Sequence, residues 1–433
     1  MASVDMIAET TREAASDETA RAEAKTPPLR VLVCLSASAT EPDADHGGKS
    51  LAGLMEDVAT RLRSDRPNSQ LMVAFPAYDT SAVETQENRG YKTVPYVAAG
   101  ETRTVWMHSA EDFRRASTLM KQNDCSCCVL LGAEAHSIVP DTISAMIHMV
   151  IESGCDLAVP RYLIDPDEGV FNSAMLYPLS RSLFGSEVRT PLALDIAMSA
   201  RMVERMGTAT ARIPAGSQAT SILWPVAEAA VAGYSMGEVI AGRREEPISP
   251  DLDLKAALAL VAGSLFSDIE TKAAYWQRNR PAPLQMCSGE DVRTSGDTLA
   301  EFSMDEHDAD PLIDSFRLAY GNLHEIWSLV LPPNSLLGLK KLSLMPTESF
   351  RMSDALWVRI VYDFALAHRL RTLNRGHLLG ALTPLYLAWV ASYILQCRNA
   401  EDAKRCMDAL AAAFEADKPY LVSRWRWPDR FNP

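Results

Sequence analysis

Between residues 29 and 160 the chain alternates short apolar runs with segments whose apolar residues recur at helical spacing, and that alternation restricts it to an α/β fold. Strands are expected at 29–36, 70–75, 92–97, 127–131 and 156–160, with helices at 49–63, 110–122 and 140–153. Central parallel strands are covered on both faces, so they read as nearly unbroken apolar stretches, as in Val31-Leu32-Val33-Cys34-Leu35. Such a chain builds a doubly wound, Rossmann-like, mostly parallel sheet whose ligand sits at the carboxyl ends of the strands. Farther on, 197–206 reads as helix, and 210–214 and 238–241 read as short strands. From 252 the pattern is helical, over 255–276, 310–331, 354–373, 376–397 and 400–415, and it ends in an aromatic tail at 420–431. The stretch 278–303, with Pro281, Pro283, Gly289 and Gly296, reads as a linker.

Composition narrows the function classes. At 433 residues, 47% hydrophobic and 23% charged, the chain has the profile of an ordinary globular protein with a sizeable core. A formal charge of −14 argues against a nucleic-acid surface or stable docking on anionic lipid. The 378–395 stretch is the nearest approach to a membrane span, but Pro384 and its aromatic residues favour a buried helix pair. Residues 1–28, with acidic groups and no apolar core, read as a disordered leader rather than a signal peptide, which leads to an expectation of cytoplasmic location. Among eight cysteines only Cys125 and Cys128 have Cys-x-x-Cys spacing, and without a second pair they read as buried packing residues.

Groups that could carry chemistry cluster in three places. The strand at 127–131 runs into Gly132-Ala133-Glu134-Ala135-His136, where Glu134 is either a functional carboxylate or an exposed acid at a strand end. The segment from Pro160 to Gly185 holds Tyr162, Gly169, Asn172, Tyr177, Pro178 and Phe184, followed by Arg189, Pro191 and Asp195. Its prolines and glycines could simply shape turns, and its aromatic residues could be core. Gly242-Arg243-Arg244-Glu245-Glu246 is either a phosphate-binding and metal-binding run or a solvated charge run. One Gly-x-Ser-x-Gly string, Gly233 to Gly237, follows a helical run and precedes a strand, the reverse of a hydrolase elbow, so it reads as a helix-ending turn.

Taken together, these residues resemble those of the GT-A glycosyltransferases that make mannosylglycerate and glucosyl-3-phosphoglycerate. In that family a strand ends in Asp-x-Asp, and a later Pro-x-Tyr strand leads into an acceptor segment with an Asn. Here Gly132-Ala133-Glu134 stands where the acidic pair would be, Glu246 stands at the later metal-ligand position, and Asp79 weakly matches a donor-binding acid.

The resemblance implies a GT-A-like donor and acceptor domain over 29–250, followed by an α-helical region over 251–433. It also implies transfer of a hexose, with retention, from a GDP- or UDP-sugar to a small polar acceptor. On this reading Asp195 is the catalytic residue; Asp79, Glu134, Arg243 and Arg244 hold the donor; Tyr162, Asn172 and Arg189 contact the acceptor; and Glu134 with Glu246 holds Mg or Mn. Asp195→Ala is then expected to stop turnover with the fold intact. The competing reading is a non-catalytic GT-A-fold paralogue that regulates or scaffolds an active partner glycosyltransferase. A homodimer is compatible with either.

Overall fold

The apolar runs assemble into one eight-stranded sheet in the computed structural model, which describes residues 28–36, 50–77, 90–97, 107–163, 170–218, 221–244, 254–278, 284–294, 306–397 and 399–427. The strands are β1 (Arg30–Leu35), β2 (Gln70–Ala77), β3 (Lys92–Val97), β4 (Cys127–Leu131), β5 (Leu157–Arg161), β6 (Asp195–Ser199), β7 (Met236–Ile240) and β8 (Met286–Cys287), in the spatial order β3-β2-β1-β4-β6-β5-β7-β8. All pairings are parallel except those of β6, which runs antiparallel to both β4 and β5. The expected α/β architecture is therefore present: a mostly parallel sheet flanked by helices, followed by a helical C-terminal region.

Strand alternation divides the core. Val31, Val33, Leu35, Cys127, Val129 and Leu131 face one side, against helices α1 (Leu51–Asp65) and α3 (Pro140–Ile151). Leu32, Cys34, Cys128 and Leu130 face the other, against α2 (Ala110–Asn123) and α4 (Ala200–Thr210). On this second side the core continues without a break into the C-terminal helices. Burial pushes the thiols of Cys34 and Cys127 up to about 12 and that of Cys125 to about 11, which suits packing rather than reactivity.

Several local expectations are corrected. Residues 195–199 form β6, so the first three residues of the helix expected at 197–206 are strand. The gap between β4 and β5 supplies ladder partners that outweigh the helix propensity of Ala197 and Met198. The helix begins only at Ala200, where the Ser199 hydroxyl accepts a hydrogen bond from Met202 N at 3.3 Å. Thr210 ends α4, so 210–214 is a turn and not a strand. The expected linker contributes β8 on the edge of β7. Gly233 does end a helix, α5 (Pro225–Ala232), at φ 70°, and the Ser235 hydroxyl is held by Asp156 at 3.0 Å in a buried turn.

The acceptor-like segment forms a helix with wide turns, Asn172–Leu176, Tyr177–Leu179 and Ser180–Phe184, and it buries Tyr177 and Phe184 as core residues. Pro178 has no N–H to offer the Ala174 carbonyl one α-turn back. That carbonyl instead accepts from Trp357 Nε1 at 2.8 Å.

The C-terminal region comprises α6 (Leu254–Thr271), α7 (Asp310–Ser328), α8 (Pro333–Ser343), α9 (Asp354–Leu370), α10 (Arg375–Gln396) and α11 (Ala400–Arg426). α10 is one helix running through Pro384 rather than a pair, and α11 extends through most of the expected tail. α10 is long and apolar enough to cross a membrane, with mean hydropathy 1.7, but 61% of that window is buried inside the fold.

One pH effect follows from this packing. His368 on α9 lies buried beside Phe266, and burial together with Arg375 lowers its basicity to about 4. The folded state then binds this proton less readily than the unfolded state between the ordinary value of 6.5 and about 4. Its contribution to stability is complete above that window and is lost as pH falls through it. Urea unfolding at about pH 7 and about pH 4.5 should show a steeper acid-side loss in the native chain than in His368→Gln. Equal losses in both would refute the assignment.

Candidate functional site

The strand order reverses between β1, which leads outward to β2 and β3, and β4, which leads to the other half of the sheet. Open α/β sheets form a crevice at the carboxyl ends of the strands where this happens. Ser36 N donates to Leu131 O at 2.8 Å across that point, and four of the sequence candidates converge beside it.

Asp195 opens β6 opposite Leu131 and is fully buried. Its Oδ1 accepts from Gly132 N at 3.0 Å and its Oδ2 from the Tyr162 hydroxyl at 2.8 Å. Arg244, four residues beyond the end of β7, closes on the same carboxylate, with Nε 2.6 Å from Oδ2 and Nη2 3.3 Å from Oδ1. The guanidinium also donates to the Glu134 carbonyl at 3.3 Å and to the Ala133 carbonyl. Only 2% of the Arg244 side chain is exposed, so it is not the solvated charge its sequence context allows. Burial works against its charge, yet the Asp195 carboxylate more than offsets this and holds the guanidinium above its ordinary pKa. Burial, then Asp195, drive the Tyr162 phenol well up, so it stays a neutral donor.

Gly132 has a steric role at this turn. A Cβ on Gly132 would lie 2.7 Å from the Leu194 carbonyl oxygen and 3.3 Å from the Leu194 Cβ, so the close passage of the β6 entry excludes any side chain there. Glu134 takes a left-handed backbone at φ 56°, and its carboxylate, 30% exposed, leans to within 3.6 Å of His136 Nδ1.

His108, just ahead of α2, belongs to this cluster, although the sequence pattern does not single it out. It is buried, its ring edge-on to Phe113, and neither ring nitrogen makes a hydrogen bond of good geometry, although the Leu194 carbonyl adds to its polar surroundings. Burial keeps it neutral against the pull of Asp112 and Asp195. No local motif marks it, because its place depends on Ser109, which makes an isolated bridge to Ile222 more than a hundred residues along the chain.

Asn172 and Arg189 meet each other rather than Asp195. Asn172 Nδ2 donates to the Arg189 carbonyl at 2.7 Å, while Arg189 Nη1 bonds Asp408 of α11 at 2.7 Å and packs over the Tyr177 ring. Arg189 N also donates to Glu238 Oε1 at 2.6 Å, and Arg161 lies 3.7 Å from the same carboxylate. The Asn172 Oδ1 is buried without a partner. Arg243 is exposed, and Asp79 and Glu246 lie outside the described residues.

A divalent cation fits the described residues poorly. No three metal-ligating side chains converge among them, both Asp195 oxygens are already engaged, and Arg244 places a fixed positive charge beside Glu134.

No family model and no curated protein matches the chain. Among solved structures it is similar to glucosyl-3-phosphoglycerate synthase from Mycobacterium tuberculosis in complex with Mg2+ and UDP, at 14% identity and a TM-score of 0.33 over 56% of this chain and 79% of that one. It is also similar to a mycobacterial protein, at 16% identity and TM-score 0.33 over 57% and 76%. A third likeness is to a CMP:2-keto-3-deoxy-manno-octonic acid synthetase complexed with CTP, at 14% identity and TM-score 0.31 over 50% and 92%. At such low scores the function has to be argued from this chain's own residues.

Proposed function

We propose that the chain is a GT-A-type transferase that takes a hexose from a nucleotide sugar to a small polar acceptor, with Arg244 standing in for the divalent cation. The observation that supports this most is the convergence of Asp195, Tyr162, Arg244 and the Gly132-Ala133-Glu134 turn at the strand-order reversal. Departure of a nucleoside diphosphate concentrates negative charge, and a guanidinium fixed beside the crevice offsets it without a metal. Asp195 acts on this reading by fixing Arg244 and Tyr162 in place, while exposed Arg243 contacts the phosphates and Glu134 the ribose. Asn172 and Arg189 shape the acceptor side, and retention is the stereochemical outcome carried by the family resemblance. The alternative within the same class is that Glu134 and Glu246 hold Mg or Mn. The domain division at about residue 250 belongs to the same proposal.

The first test is a thermal-shift series with UDP, GDP, ADP and their hexose conjugates, each with and without Mg or Mn. The matching nucleotide at about a hundredfold excess over its Kd should stabilise the fold by about 2.7 kcal/mol. A shift independent of metal supports Arg244 in the cation's role, and a shift only with metal moves that role to Glu134 and Glu246.

One observation favours a second reading. Asp195 and Arg244 bury each other almost completely, as expected of a pair kept for structure, and this is compatible with a non-catalytic paralogue that serves an active partner. Absence of any nucleotide shift would favour that reading.

A further inference from the structure

A cavity of about 590 Å³ lies between α8, α9 and α11, in the helical region. Its walls are largely apolar, from Leu342, Met345, Leu356 and Ala413, but its charged groups are mainly cationic. Lys341 and Arg351 line it and make no ion pair among the described residues, while Arg359 shares its charge with Asp417 at 3.2 Å. Asp417 is the one carboxylate among the lining residues. Asp354, in the first turn of α9, feels the field of Arg351 but does not line the cavity.

Two helix N-termini open onto the same space. α8 begins at Pro333 with no side-chain cap, and its first-turn residues Asn334 and Ser335 line the cavity. α9 begins after Ser353, which lines it as well, but the Ser353 hydroxyl already caps that end by accepting from Leu356 N at 3.4 Å, so α8 offers the open terminus. Helix N-termini present backbone N–H groups and a partial positive charge to an anion. Ser335 supplies an independent sign of a missing partner: it is 3% exposed, and its buried hydroxyl has no hydrogen-bond partner. The oxygen itself is closed to water, so it marks an unsatisfied turn beside the cavity rather than a direct ligand contact.

We propose that this cavity binds an amphipathic anion, a carboxylate or phosphate group carried on a short apolar body. The headgroup is held by Lys341, Arg351 and the first turn of α8, with the body against Leu342 and Leu356. The cavity volume suits a small ligand. This site is separate from the crevice at the strand-order reversal and does not depend on what binds there.

Titration calorimetry on the full chain, using hexyl phosphate, hexanoate and inorganic phosphate, tests it. Saturable one-to-one binding of hexyl phosphate or hexanoate is expected, at least about tenfold tighter than inorganic phosphate, because only the first two bury apolar surface. The Lys341→Gln/Arg351→Gln pair should weaken this binding by about tenfold or more. Lys340→Gln, on the same helix but outside the lining, should leave it unchanged. The double substitution removes two side chains without ion-pair partners, so its fold should persist, and circular dichroism checks this. No saturable binding, inorganic phosphate binding as tightly as hexyl phosphate, or equal affinity in the double variant would each overturn the proposal.

Discussion

Arg244→Met should lower the stability of the fold by about 3–5 kcal/mol, because it strands the Asp195 carboxylate in the core with only Gly132 N and the Tyr162 hydroxyl to hold it. Removing both charges, in Asp195→Asn/Arg244→Met, should cost clearly less than Arg244→Met alone, since no unpaired buried ion remains. Urea unfolding midpoints of the three proteins at neutral pH measure this. A single-variant loss below about 1 kcal/mol would mean that the pair is solvated in solution. The same reasoning revises the expectation that Asp195→Ala spares the fold: that change leaves a guanidinium buried beside two backbone carbonyls without its counter-ion. Turnover lost in Asp195→Ala would then report stability as well as chemistry, and because Asp195→Asn removes the same counter-ion, turnover in either variant has to be read per folded molecule, with circular dichroism on the same sample.

Trp357→Ala should cost a similar amount, about 3–5 kcal/mol, for a different reason. The indole is fully buried, stacks on Trp389 at 6.1 Å between centroids, and supplies the donor that Pro178 cannot give to Ala174 O. Truncation opens a cavity and orphans that carbonyl at once. Trp357→Phe separates the two terms: it keeps most of the ring volume and loses the N–H, so about 1–3 kcal/mol of loss is expected. Thermal unfolding of both variants, followed by far-ultraviolet circular dichroism, checks the ordering. A Phe variant as unstable as the Ala variant would place the whole effect in the hydrogen bond.

Legibility in the sequence followed how local each feature is. β1, β2, β4 and β5 were readable because each is a compact apolar run with a strand on either side, and β3, the half-exposed edge strand, because Thr93, Val94, Tyr96 and Val97 favour a strand. β6 was not, because Ile196-Ala197-Met198 carries helix-forming residues directly ahead of a true helix, and only the ladders to β4 and β5 decide its state. β8 is two residues long and borrows its register from Met236 and Gly237.

The candidate site was legible in part. Asp195, Tyr162 and Arg244 were named from the sequence and meet in space, whereas Asn172 and Arg189 form a separate group tied to α11. The burial of Arg244 could not be read from a run of charges, because it depends on β7 delivering residue 244 to a carboxylate forty-nine positions earlier in the chain. His108 has no local signal, since the field around it comes from Asp112, Asp195 and Arg244 on three different segments.

The close passage of Leu194 over Gly132 bears on which substitutions this chain tolerates. An acidic residue at 132 cannot be gained by one substitution, since its Cβ alone would overlap the Leu194 carbonyl. The entry to β6 would have to move first, and moving it would pull Asp195 out of register with Leu131 and away from Arg244. A side chain at 132 therefore threatens the buried pair through the backbone of Leu194, although residue 132 touches neither charged group with a side chain of its own.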